Sequence, residues 1–218
     1  MDTKVTDLGL ERLGSLKELH ELWLAGTGVT DAGLKCLAGS RGLRQLDLSR
    51  TKVTDAGLEN LRGLEAVQSL DLSGTRVTDL GLERLRGLVR LRELCLVDTN
   101  VTDMGLEYLV DMVELQALYL GGTKVTDAGL QHLGTLKKLR LLTLEDTRVT
   151  DAGLEHLAEF KGLQDLSLDG ASVTDAGVEH LKGLKGLREL GLERTKVTAA
   201  GITALKKALP GCNVQASD

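Results

Sequence analysis

Residues 53–76 read VTDAGLENLRGLEAVQSLDLSGTR, and the unit they define returns along the chain every 24 residues. Val5, Val29, Val53, Val77, Val101, Val125, Val149, Val173 and Val197 each precede a threonine at that spacing, without one insertion. A fixed period of this length marks a stack of small equivalent units rather than a globule with a unique core. One unit cannot bury its apolar face alone, so neighbouring copies share a continuous core. The 218 residues are therefore read as one elongated domain, 1–218, of about nine repeats.

Within the unit the apolar columns are Val53, Leu58, Leu61, Leu64, Val67, Leu70 and Leu72. Leu58, Leu61 and Leu64 fall at helical intervals, whereas Leu70 and Leu72 alternate as a strand does. Each repeat predicts a short strand followed by a short helix. Thr54 before Asp55 suits an N-cap hydroxyl followed by a first-turn carboxylate, where the helix dipole favours negative charge. The pair recurs with Asp7, Asp31, Asp79, Asp103, Asp127, Asp151 and Asp175, and only Ala199 departs from it. These carboxylates read as architecture, not as acid catalysts. Gly57, with Gly33, Gly81 and Gly129 in the same column, is expected to let the helix pack close to its neighbour.

The run Leu43, Leu46, Leu48, Thr51, followed by Val-Thr-Asp-Ala-Gly-Leu, resembles a leucine-rich repeat. It is most similar to the cysteine-containing subclass of F-box-type and some bacterial repeat proteins, whose helix opens Ile/Val-Thr-Asp-x-Gly-Leu. The resemblance implies an α/β fold: a curved solenoid with a parallel sheet on the concave face and short helices on the convex face. That family carries Asn or Cys at the ladder position, where this chain has Thr27, Thr51, Thr75, Thr99, Thr123, Thr147 and Thr195. A buried threonine hydroxyl is expected to bridge the backbones of adjacent turns, and Ala171 to mark a locally weaker one.

Net charge is −5 with a pI near 5.5, which argues against a nucleic-acid binder relying on a basic surface. Cys36, Cys95 and Cys212 are odd in number and unrelated in position within the repeat, so neither a disulfide framework nor a zinc knuckle is expected. The N-terminal stretch has no apolar signal region and no run approaches membrane-spanning length. A cytoplasmic protein with no membrane contact is the expectation.

Alternation along the strand places three columns on the concave face. The central one is Trp23, Asp47, Asp71, Cys95, Tyr119, Thr143, Ser167, Gly191. The preceding column is Glu21, Gln45, Ser69, Glu93, Ala117, Leu141, Asp165, Glu189, and the following one is Ala25, Ser49, Ser73, Val97, Gly121, Glu145, Asp169, Glu193. None of the three holds a Lys or Arg, although the chain has 27 basic residues. A solvated sheet with freely drifting polar residues is the bland reading. The preferred one is a recognition face for a partner protein with a basic surface, with Trp23 and Tyr119 as anchors. Its candidate residues are Glu21, Trp23, Asp47, Asp71, Glu93, Cys95, Tyr119, Thr143, Glu145, Asp165, Asp169 and Glu189.

Other patterns carry less. Lys4, Lys52, Arg76, Lys124, Arg148 and Lys196 form one basic edge, and Arg44, Arg92, Arg140 and Arg188 another; ion pairing with the acidic floor is the simple expectation. Leu80, Val89, Met104, Val110 and Val113 occupy columns that elsewhere hold small or charged residues such as Lys17 and Lys137. They are expected to be partly buried by looser local packing, a contact patch being the second reading. His132, His156 and His180 share one helix column, but no carboxylate or cysteine column completes a metal sphere. Cys95 lacks a histidine base, and Asp71 and Glu93 beside it oppose thiolate formation. Neither a phosphate loop nor a dinucleotide fingerprint appears. No catalytic residue, cofactor or metal is predicted.

At the C-terminal end, Ile202, Leu205 and Leu209 predict a closing helix and Val214 a last short strand, so residues 198–218 form a cap. The N-terminal end starts at the ladder residue Thr3, and Leu8, Leu10 and Leu13 are expected to be partly exposed. A protein continuing upstream is the favoured explanation, association through that end the alternative. The combined expectation is a noncatalytic protein-binding module using the acidic concave sheet. The alternatives are the substrate-recognition arm of a larger enzyme such as a ubiquitin ligase, and an engineered or structural array without a natural ligand.

Overall fold

The computed structural model describes residues 5–13 and 18–216; Thr3, Lys4, Lys17 and the side chain of Leu13 lie outside the described residues. The strands are β1 (Glu21–Trp23), β2 (Gln45–Asp47), β3 (Ser69–Asp71), β4 (Glu93–Cys95), β5 (Ala117–Tyr119), β6 (Leu141–Thr143), β7 (Asp165–Ser167), β8 (Glu189–Gly191) and β9 (Asn213–Gln215). They pair in parallel, in chain order, as one sheet. The register repeats the sequence period: Leu22 faces Leu46, Leu46 faces Leu70, and so on to Leu190 facing Val214. The assigned strands are only three residues long because Leu24, Leu48, Leu72 and their equivalents already lead into the next turn. Inter-repeat hydrogen bonding nevertheless continues past the strand, as in Leu48 N–H to Asp71 O at 2.9 Å and Arg50 N–H to Ser73 O at 2.7 Å.

The opposite layer consists of α1 (Asp7–Leu13), α2 (Asp31–Leu34), α3 (Asp55–Leu58), α4 (Asp79–Arg84), α5 (Asp103–Leu106), α6 (Asp127–Leu130), α7 (Asp151–Leu157), α8 (Asp175–Leu181) and α9 (Ala199–Ala208). Four of these pass directly into 3-10 turns, at Lys35–Leu37, Glu59–Leu61, Glu107–Leu109 and Gln131–Thr135. Strands sit about 4.8 Å apart, less than the width of a helix, so the sheet takes the inner side of the curve. Between the layers every repeat contributes the same buried leucines; Leu94, Leu96, Leu106, Leu109, Leu118 and Leu120 are all 0% exposed. Each fully buried leucine stabilises the fold by about 1.5–3 kcal/mol relative to exposure.

The Thr-Asp pair has a role beyond capping. Thr54 accepts a hydrogen bond from Ala56 N–H, as a cap should, but its own N–H and hydroxyl both donate to Asp31 of the previous repeat, at 2.7 Å each. The same double contact joins Asp7 to Thr30, Asp79 to Thr102, Asp127 to Thr150 and Asp175 to Thr198. The carboxylate therefore ties one helix start to the next rather than serving only its own first turn. Ala199 breaks the pattern where no further Val-Thr pair follows in the sequence. The adjoining glycine is required by this staple: a Cβ on Gly33 would lie 2.5 Å from Asp7 Oδ1, and one on Gly177 only 2.9 Å from Asp151 Cα.

The threonine ladder differs from expectation. Thr51 Oγ1 donates to Leu48 O at 2.6 Å, and Thr75, Thr99 and Thr123 repeat the contact with Leu72, Leu96 and Leu120. The hydroxyl closes its own turn instead of bridging to the adjacent one, because its reach from Cβ is shorter than that of an asparagine amide. Ala171 keeps the backbone bond, Ala171 N–H to Leu168 O at 2.9 Å, and lacks only the hydroxyl.

The residue before the ladder position takes positive φ in each repeat and alternates between glycine and a longer side chain: Gly26, Arg50, Gly74, Asp98, Gly122, Asp146, Gly170, Arg194. A Cβ on Gly74 would meet Arg50 Cγ at 3.3 Å, and one on Gly122 would meet the Asp98 carboxylate. Each longer side chain thus lies over the next repeat's glycine. Arg194 reaches back across Gly170 to Asp146, with contacts of 2.8 and 3.1 Å. That pair spans the one turn whose ladder threonine is missing.

Toward the C-terminal end, α9 and β9 stand where the sequence predicts a helix and a short strand, with Leu205 and Leu209 buried and Val214 paired with Leu190. In α1 Leu8 is exposed, but Leu10 is 0% exposed, against the expectation for that end. Its side chain packs toward Gly33 of the next repeat, where the missing Cβ leaves room. The central apolar residues also depart from expectation. Leu80 (59%) and Met104 (66%) are largely exposed, as are Val89 and Val113, while Val110 is half-buried. Among the described residues up to Val197 the columns of Leu80, Met104, Val89 and Val113 are exposed in every repeat, so local packing offers these four no cover.

Candidate functional site

Strand pairing brings Trp23, Asp47, Asp71, Cys95 and Tyr119 into one row across β1 to β5, each residue directly opposite the next. These five, together with Gln45, Ser69 and Glu93, line a hollow of about 350 Å³ on the sheet face. The aromatic rings stand at its two ends. Trp23 is 65% exposed, although it is the largest apolar side chain in the protein.

Local chemistry fixes the two central carboxylates. Asp47 Oδ1 accepts from Ser49 N–H at 2.8 Å and Ser49 Oγ at 2.7 Å. Asp71 repeats this with Ser73, at 2.8 and 2.6 Å. One oxygen of each carboxylate is thereby anchored, and among the described residues no other hydrogen bond takes the second oxygen. The anchoring serines were not picked out from the sequence, although the twice-repeated Asp-Leu-Ser at 47–49 and 71–73 is the signal that marks them. On the next strand Glu93 accepts from Ser69 Oγ at 3.3 Å.

Cys95 and Tyr119 respond to this setting. Burial raises the Cys95 thiol pKa first of all, Asp71 and Glu93 add to the rise, and the contact with Ser73 Oγ (2.8 Å) opposes it. Burial and the flanking carboxylates thus disfavour the thiolate, the form in which a cysteine attacks. Tyr119 is raised by burial and then by Glu93, with a smaller contribution from Asp165 two strands away. Beyond the larger effect of burial, Glu93 and Asp165 thus bring negative charge near the Tyr119 hydroxyl.

The remaining candidates lie outside the hollow. Glu21 is on the exposed first strand, Thr143 on β6, Asp165 on β7 and Glu189 on β8. Glu189 accepts from Asn213 at 2.8 Å and Gln215 at 3.2 Å, two partners on the closing strand that the sequence reading did not include. Glu145 and Asp169 stand on the turn bordering the sheet, since β6 ends at Thr143 and β7 at Ser167. Asp169 is tied to the next repeat through Glu193 N–H at 2.7 Å.

The basic edges do not neutralise this floor. Among the described residues, the ion pairs join Glu59 to Arg62 and Arg84, Glu107 to His132, Glu114 to Lys138, Glu179 to Lys182 and Asp146 to Arg194. None includes Lys52, Arg76, Arg44, Arg92 or their column mates, contrary to the expected pairing. His132 leans on Glu107 at 3.7 Å, and among the described residues no three His, Cys, Asp or Glu side chains converge to hold a metal ion. No helix among them is long and apolar enough to cross a membrane.

Comparisons with known proteins bear on the fold. The family model described as Leucine rich repeat matches residues 41–101. An internalin of Listeria monocytogenes superposes with a TM-score of 0.75 at 22% identity, covering 99% of this chain and 67% of its own. An internalin C2 of the same species gives 0.73 at 26% identity, covering 98% and 84%. A plant peptide hormone receptor, solved in complex with RGF2, gives 0.61 at 18% identity; this chain spans only 32% of its length. No curated protein sequence matches the chain. Nine parallel strands in strict register, a family model matched inside the repeats and these superpositions establish the fold as a leucine-rich-repeat solenoid.

Proposed function

We propose that the chain is a noncatalytic protein-binding module whose acidic concave sheet recognises a partner with a basic surface. The observation that carries this reading is the pair Asp47 and Asp71. Each is anchored through one oxygen by a serine, each keeps the other oxygen without a partner among the described residues, and they lie side by side between Trp23 and Tyr119. Carboxylates held this way need no reordering on binding, and neighbouring aromatic faces favour a cation above them. Burial and the neighbouring carboxylates disfavour the Cys95 thiolate, which favours binding over thiol chemistry. The receptor among the structural neighbours is a protein seen holding a ligand, which makes a binding role a natural one for this architecture.

The finer assignments belong to the same proposal. Residues 1–218 act as one domain closed by 198–218, and the repeats fall in the cysteine-containing subclass with threonine at the ladder. A substrate-recognition arm within a larger enzyme would use the same face. Leu8, exposed on α1, is what favours association through the N-terminal end; a single monomeric mass by light scattering would remove that reading.

The test removes charge without removing the turn. In Asp47→Asn with Asp71→Asn, an amide oxygen still accepts from Ser49 and Ser73, so thermal stability should stay close to wild type. Proteins retained by the immobilised wild type at low salt should be lost from the double variant. Retention of the same proteins by both at equal strength would show that the concave carboxylates are not the recognition surface.

A further inference from the structure

The acidic residues of the sheet face are not evenly spread. Asp47, Asp71 and Glu93 occupy β2, β3 and β4, with Glu21 beside them on the first strand, and Asp165 and Glu189 occupy β7 and β8, with Asp169 and Glu193 on the adjoining turns. Between them β5 and β6 present Ala117, Tyr119, Leu141 and Thr143, none of which carries a charge, and all four are half-buried. Only Glu145, on the bordering turn, brings an acid into this middle section. No basic side chain falls on the face of any strand, and β9 adds only Asn213 and Gln215. Taking each strand step as about 4.8 Å, the centres of the two acidic zones are about 20 Å apart. An extended chain advances about 3.3 Å per residue, so about six residues cover that separation.

Resting on the reading of the sheet as a protein-binding face, we propose that its partner is an extended polypeptide with two basic clusters about six residues apart. The chain of this ligand runs across the strands, along the long axis of the solenoid. One cluster enters the hollow over Asp47, Asp71 and Glu93, the second meets Asp165 and Glu189, and an uncharged apolar stretch lies on Tyr119 and Leu141. Charge complementarity selects a basic partner, and the neutral saddle selects against a continuous one: a cation placed on β5 or β6 would leave water for an apolar surface with no carboxylate on the strand beneath it. Two weak contacts on one chain bind far more tightly than either alone, provided the linker matches their separation.

The test uses fluorescently labelled peptides of equal charge, each with two Arg-Arg pairs, differing only in the spacer. The spacers are none, four uncharged residues including valine and leucine, and sixteen residues of glycine and serine. Binding is read by fluorescence anisotropy against the intact protein at low and at physiological salt. The four-residue spacer should bind about tenfold more tightly than either alternative. Asp165→Asn with Glu189→Gln should erase that advantage and leave the affinity of the spacerless peptide unchanged. Equal affinity for all three peptides, with binding still lost in Asp47→Asn/Asp71→Asn, would overturn the two-cluster ligand and leave the acidic face standing as a binding surface. Absence of binding by all three at low salt would overturn both.

Discussion

Gly177 illustrates how narrowly a single position is specified in this repeat. Glycine in a helix costs about 1 kcal/mol relative to alanine, so propensity alone would favour Gly177→Ala. The fold says the opposite, because a Cβ there lies 2.9 Å from Asp151 Cα and presses into the carboxylate that holds Thr174. Backbone cannot yield as a flexible side-chain tip does. Gly177→Ala is expected to destabilise by about 1–3 kcal/mol in chemical denaturation, as overpacking does. Gly63→Ala, at a position with nothing within 4 Å, should be neutral or slightly stabilising. Equal effects at both sites would mean that the close approach of neighbouring helices is not what selects glycine.

Between elements, the Asp-Thr staple converts a capping motif into the link that sets one helix beside the next. Its electrostatic signature is clearest at the C-terminal end. The hydroxyl and then the N–H of Thr198 hold the Asp175 carboxyl below its ordinary value of 3.8. For Asp7 burial pushes upward, but hydrogen bonds from Thr30 and Gly33 outweigh it and the net shift is also downward. A group whose folded pKa is depressed contributes stability that is complete above its unfolded pKa and disappears as pH falls through the folded one. The staples at Asp7 and Asp175 therefore stabilise fully above about pH 4 and fade below it. Asp175→Asn should show a smaller loss of denaturant midpoint between about pH 5 and pH 2 than the wild type. An identical loss in both proteins would mean that the Thr198 contacts do not favour the ionised carboxylate.

For the whole molecule, contacts run chiefly between adjacent repeats, with the Arg194–Asp146 pair reaching across two, so stability is nearly a sum of local terms along one dimension. Leu118, fully buried in β5, packs in the middle of this array. Leu118→Ala should cost about 2–5 kcal/mol. The loss should show as faster amide exchange concentrated in β4 to β6, with the terminal repeats less affected. Uniform loss of protection from β1 to β9 would indicate a globally cooperative core rather than a stack. The recognition face has the same one-dimensional character. Its zones are set by which repeat carries which outward residue, so a ligand reads position along the solenoid.

Much of this was legible in the residues themselves. The period fixed the repeat, the change from helical to alternating leucines placed strand and helix, and the outward columns of the strand followed from alternation alone. The aromatic and acidic identity of the concave row was visible for the same reason: a strict register turns sequence distance into spatial adjacency. Contacts whose direction depends on side-chain reach were not. Whether Asp31 serves its own turn or Thr54 of the next repeat, and whether Thr51 bridges turns or closes one, depends on angstrom-scale distances between chain segments. The exposure of Leu80 and Met104, the burial of Leu10 and, among the described residues, the absence of ion pairs between the basic edges and the floor were likewise decided by how repeats stack. A linear pattern specifies which column a residue joins; only packed neighbours determine what that column meets.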